Sequence, residues 1–179
     1  MLFKRAREFV SDAFHSLIQG SGRDIGKLNK IIKAIDDNNL DELRTVIPQL
    51  DRRDIEDYVR RPVDSMKRTP LHFAAWAENP EIIGVILEYI NDPDIEDKTG
   101  ATPMMFVVGS GNNCLKKMTL LINKHADVNR KDKSDWSLLH AAVQMKKRGL
   151  NLKTKKKKQH ANHLFSLFRY SGITHCQRW

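Results

Sequence analysis

Thr69-Pro-Leu-His-Phe-Ala-Ala75 recurs along the chain, first as Thr102-Pro-Met-Met-Phe-Val-Val108 and then as Ser137-Leu-Leu-His-Ala-Ala-Val143. The steps are 102 − 69 = 33 and 137 − 102 = 35 residues. A second marker keeps the same beat, because Asp64, Asp97 and Asp132 each stand five residues before the Thr or Ser. Two independent markers in one register define a tandem repeat. A unit of this length stacks on its neighbours, and its function is to be sought on a binding surface, not in a catalytic pocket.

The copy at residues 64–96 is the fullest. Thr69 is suited to cap an inner helix, and Pro70 fits its first position, where a missing N–H costs nothing. His72 is expected to bond the neighbouring repeat's backbone or the Thr hydroxyl, and Ala74 and Ala75 are small enough for two helices to approach closely. A second helix follows at Glu81–Leu87, with Ile82, Ile83, Ile86 and Leu87 facing inward. In residues 97–131, Met104 and Met105 replace Leu-His, which predicts a repeat without the histidine network and with Met filling a looser interface. Gly109 to Cys114 reads as an inter-helix loop carrying two extra residues.

The flanking units are less regular. Residues 27–63 read as a degenerate first repeat, with Leu28, Ile31, Ile32 and Ile35 on an inner helix and Leu40, Leu43, Val46 and Ile47 on an outer one that Pro48 stops. The stretch Leu50 to Val59 carries an insertion that is expected to form a helical turn or two. The unit at 132–172 opens well through His140-Ala-Ala142 and is then interrupted by a Lys-rich insertion at 146–158. Leu164, Phe165, Leu167 and Phe168 resemble a displaced outer helix completing it, with a tail at 173–179. Residues 1–26 hold an amphipathic helix in which Leu2, Phe3, Ala6, Phe9 and Val10 share a face. Its expected role is to cap the exposed end of the stack, with a membrane-surface anchor, a presequence or a partner-binding helix as alternatives.

The Thr-Pro-Leu-His box and the period resemble the ankyrin repeat family, over about Leu28 to Gly172, with the firmest motifs from Asp64 to Ala142. The resemblance implies an all-α fold, an ankyrin-repeat α-solenoid of about four helix-turn-helix units with an N-terminal capping helix. It also implies a protein partner bound by finger loops and a concave groove. Carried over by position, the fingers are residues 64–68, 97–101 and 132–136, contributing Lys67, Arg68, Lys98, Lys133 and Trp136, with Lys131 just before the third. The groove is lined by Trp76, Ala77 and Glu78, then Gly109 and Ser110, then Gln144. Trp76 and Trp136 are candidate anchors, since aromatics at solvent-facing positions are frequent hot spots; the alternative for each is packing against its own neighbouring finger, which is the expectation for Trp136.

Charge is unevenly spread. The net charge is +9, yet up to Met145 there are 21 Lys and Arg against 22 Asp and Glu, while Lys146 onward has 10 basic residues and no acidic one. The excess therefore belongs to the C-terminal segment, through Lys146, Lys147, Arg148, Lys153, Lys155, Lys156, Lys157 and Lys158. That segment supports a rival reading, a two-part nuclear-import signal or a clamp for nucleic acid or acidic lipid. Two cysteines, Cys114 and Cys176, are too few for a disulfide framework and fit a reducing compartment. No apolar run approaches the roughly 18 residues of a transmembrane helix.

No residue set points to chemistry. His72 and His140 fall on the repeat register and are box residues. His160, His163, His175 and Cys176 lack the paired spacing of a zinc site, and the glycines at 109–111 are not followed by the Gly-Lys-Ser or Gly-Lys-Thr of a phosphate loop. The expectation is a monomeric, non-enzymatic interaction module with no metal and no cofactor, cytoplasmic or imported to the nucleus. Small ankyrin proteins also act in host cells as secreted factors of intracellular bacteria or viruses, and the size and degenerate repeats fit that pattern.

Overall fold

A computed structural model describes residues 23–50, 52–110 and 113–143. The expected N-terminal capping helix up to residue 22, Gln144, the Lys-rich insertion and the displaced helix at 163–172 lie outside them. The elements are α1 (Arg23–Asp36), α2 (Leu40–Val46), a 3-10 turn (Ile47–Gln49), α3 (Arg52–Arg60), α4 (Pro70–Trp76), α5 (Pro80–Leu87), α6 (Pro103–Ser110) and α7 (Cys114–Asn123). A last helix, α8, begins at 138 and is described to 143. Among the described residues there is no strand, only an isolated bridge between Lys131 and Ser137.

These helices pair as antiparallel units and stack in two rows. The inner row runs α1 to α4 to α6, the outer row α2 to α5 to α7, and each inner helix packs on the outer helix of its own unit. One apolar core threads the rows, from Leu28, Ile31 and Ile32 through Leu71, Ile82 and Ile86 to Met104, Val107 and Leu121. Ala74 and Ala75 are fully buried, as close helix approach requires. Asn39 caps α2 by accepting the Glu42 amide at 3.0 Å, and Asn79 caps α5 by accepting that of Glu81 at 2.9 Å. Asn38, in a left-handed turn with φ 54°, also accepts the amide of Asn79 at 2.8 Å and so ties the first unit to the second.

The insertion of the first unit is a helix of nine residues, α3, longer than the turn or two expected. Ile55, Tyr58 and Val59 bury its inner side, which supplies the apolar stripe that keeps so short a helix folded. At the end of α6, Gly109 and Ser110 extend the helix into what reads as loop in the sequence. The Ser110 hydroxyl donates back to the Val107 carbonyl at 2.9 Å and holds that last turn.

The box at Thr69 explains the sequence signature. Nε2 of His72 lies 3.2 Å from the Ala101 carbonyl, which can only accept, so Nε2 carries the proton. Nδ1 then accepts the Thr69 amide at 3.1 Å and its hydroxyl at 3.0 Å. One imidazole thus caps its own helix and fastens it to the next repeat. Burial pushes its pKa from 6.5 down to about 4, against the opposing pull of the Ala101 bond and Asp97. Met105 stands where the third unit would have the histidine, and the buried Thr102 hydroxyl has no partner. Ser137 and His140 re-form the pair at 2.8 Å.

Two outcomes follow. Met105→His restores the acceptor for Thr102 and brings a donor toward the Trp136 carbonyl, so it should stabilise the chain by about 1 kcal/mol in urea unfolding. Between pH 6.5 and 4 the unfolded chain holds a proton on His72 that the folded chain lacks, so this residue's contribution, on the order of 3 kcal/mol, is lost as pH falls through that window. Imidazole NMR should find His72 still neutral at pH 5.

Candidate functional site

The three connections between units share one geometry. Each opens on an aspartate whose Oδ1 accepts the amides two and four residues on. For Asp64 these are Met66 at 3.0 Å and Arg68 at 2.9 Å; for Asp97, Thr99 at 2.7 Å and Ala101 at 3.0 Å; for Asp132, Ser134 at 2.8 Å and Trp136 at 2.9 Å. The third residue after each aspartate takes left-handed backbone, with φ 56° at Lys67, 81° at Gly100 and 57° at Asp135. The chain then returns, the amide of Asp97 bonding the Ala101 carbonyl at 3.0 Å and that of Asp132 the Trp136 carbonyl at 2.9 Å. Each turn is a rigid finger with its carboxylate folded inward.

Neighbouring fingers are tied backbone to backbone. Lys98 N donates to the Met66 carbonyl at 2.7 Å, and Lys133 N to that of Thr99 at 2.9 Å. The fit is tight, because a Cβ on Gly100 would come within 3.0 Å of Lys133 N. Lys67, Lys98 and Lys133 are exposed along this edge. Arg68 differs, with its side chain 14 % exposed, its guanidinium paired to Asp64 and lying 5.2 Å over the Phe73 ring. Lys131 reaches Asp135 at 3.4 Å. Trp136 is 37 % exposed and tilts against the His140 ring of α8 at 5.3 Å.

On the other side of the inner row, Trp76 ends α4 half-buried, with Glu78 exposed beyond it. The Glu78 carbonyl accepts the Asn113 side chain at 3.0 Å. At the end of α6, Gly109 is buried and Ser110 half-buried. Among the described residues no group of three or more His, Cys, Asp or Glu could hold a metal ion, and no helix is long and apolar enough to cross a membrane.

The family model of the ankyrin repeat matches residues 66–98, from within the first finger through α4 and α5 to the start of the second. The chain carries an ankyrin repeat. It is 37 % identical over 76 residues to the human SH3 and multiple ankyrin repeat domains protein 2, which covers 41 % of this chain and 4 % of that much longer protein. The ankyrin fold is an interaction fold, and a module of this kind serves protein–protein recognition.

One ankyrin position departs from its pattern in a way the sequence reading missed. With Asp97 and Asp132 aligned at a spacing of 35, Lys117 falls on the register of Ile82, and both are fully buried. Its ammonium donates to the Ala75 carbonyl at 2.9 Å and to the Ser110 hydroxyl at 3.3 Å. Ala75 is in the last turn of α4, whose carbonyls lack helical partners, so the outer helix of one repeat caps the inner helix of the previous one. The signal was available: aligning the outer helices by the aspartates puts a lysine in a core column.

Burial pushes Lys117 from 10.5 down to about 8, against the pull of Cys114 and Glu78. Between those values the unfolded chain holds a proton that the folded chain has released, so stability rises with pH across that window, and the cost of the buried charge is fully present below it. Lys117→Ile should flatten the slope of the unfolding midpoint between pH 8 and 10 relative to the unmutated chain. An unchanged slope would assign it to other groups.

Proposed function

We propose that this ankyrin protein is a non-enzymatic adaptor that docks a partner protein on the face formed by its finger edge and the adjoining groove. The observation that carries this reading is the division of labour within each repeat. The box residues Thr69, Pro70, His72, Ala74 and Ala75 are buried and spent on packing, whereas Lys67, Lys98 and Lys133 are exposed on backbone held rigid by the finger bonds and Glu78 is exposed beyond α4. A rigid surface loses little entropy on binding, which favours affinity from few contacts. Trp76 supplies the aromatic anchor at the edge of the groove.

The test is affinity capture with the intact chain, a chain ending at Met145, and Trp76→Ala. Partners retained by the shortened chain and lost by Trp76→Ala, at unchanged unfolding midpoint, are the expected result. Loss of every partner with the basic segment alone would instead favour binding through Lys146–Lys158, with affinity that falls steeply with salt. Capture indifferent to Trp76 would remove that anchor.

A further inference from the structure

The fingers sort their charges by direction. Asp64, Asp97 and Asp132 turn their carboxylates into the loop amides, and Arg68 and Lys131 are taken up by Asp64 and Asp135. Lys67, Lys98 and Lys133 are exposed, and among the described residues no carboxylate lies within ion-pair distance of any of them. Their backbones are joined across the repeats by the Lys98–Met66 and Lys133–Thr99 bonds, so the three cations form one fixed row, one per repeat. Lys133 also donates to the Lys98 carbonyl at 2.8 Å, which lays its side chain along the row. Lys67 keeps its charge at a left-handed position, where the neighbouring finger has Gly100 and where a non-glycine residue costs about 1 kcal/mol.

We propose that this row selects the partner: the finger edge docks an acidic, extended protein segment whose carboxylates meet Lys67, Lys98 and Lys133, and whose apolar side chain lies against Trp136. The proposal rests on the protein-docking reading above and narrows it to a partner chemistry. Carboxylates suit the row better than a phosphate backbone. Single lysines spaced one per repeat give point charges, while the arginines that would grip phosphate in a fork, Arg68 and Arg130, are already paired with Asp64 and Glu96. The exposed Asp135 at the third tip also repels a densely charged polyanion more than a peptide that can place a neutral residue there.

The probe is a fluorescein-labelled twelve-residue Glu/Gly peptide with one central Leu, with a Glu→Gln version and a twelve-nucleotide single-stranded DNA as comparisons. Binding is measured by anisotropy on the full chain. A second full chain carries Ser at Lys146, Lys147, Arg148, Lys153, Lys155, Lys156, Lys157 and Lys158, so that the attraction of the basic segment is removed. In that background, the triple variant Lys67→Gly, Lys98→Ser, Lys133→Ser should weaken the Glu peptide about tenfold. An all-arginine triple at the same positions should restore it, and the probe should shift the amide NMR signals of residues 64–68, 97–101 and 132–136. The Gln peptide should not respond to the triple.

Equal affinity of the triple and its parent, at unchanged unfolding midpoint, overturns the proposal. So does an equal finger-dependent loss with the DNA. Captured partners that survive the triple but not Trp76→Ala would sink the acidic-segment inference and leave the groove reading standing.

Discussion

A unit of two short helices has one apolar face more than it can bury by itself, and nearly everything in this structure follows from that. Leu71, Ile82 and Ile86 belong to one core that continues through the neighbouring repeats, so each helix pair is stable only while its neighbours are in contact. The same constraint sets which residues are free. Where helices must meet, side chains are small, apolar or locked in a box; recognition is left to the turns. The two described ends of the problem are visible in one comparison: Leu87 is 2 % exposed, and Ile122, at the same register in the following repeat, is 41 % exposed. Val108 and Val143 repeat the contrast at 0 % and 36 %.

Much of this was legible in the sequence because the repeat states its own rule several times. Thr69-Pro70 and His72 could be assigned to a cap because the same types return at Ser137 and His140. Asp64, Asp97 and Asp132 marked the fingers before their bonds to the loop amides were seen. Departures from the rule were legible only in part. Met105 announced a missing histidine, and the unpartnered Thr102 hydroxyl is its physical consequence. The length of α3 was underestimated, because charged residues flank its buried Ile55, Tyr58 and Val59 and hide the stripe.

What could not be read was tertiary. Arg68 looks like an available cation in a finger, but the loop turns its guanidinium onto Asp64 and the Phe73 face. Lys117 looks like a solvated residue in a Lys-Lys pair, yet Lys116 reaches outward to Glu81 while Lys117 enters the core. Neighbours in sequence thus have opposite fates, decided by 100° of helix rotation. Burying an ammonium costs several kcal/mol, and only its two acceptors make it tolerable. The gain is a polar link between repeats at a place where an isoleucine would give a non-directional contact, and it ties α7 to the end of α4.

The unequal fastening of the repeats gives the chain a preferred tear line. The second and third units are joined by the His72 imidazole and the Lys117 ammonium as well as by apolar contact. At the next seam the histidine's place is taken by Met105, and a hydroxyl is left idle beneath it. A solenoid whose joints differ in this way does not open uniformly. The cheapest opening is expected where the histidine bond is missing, on the far side of α6.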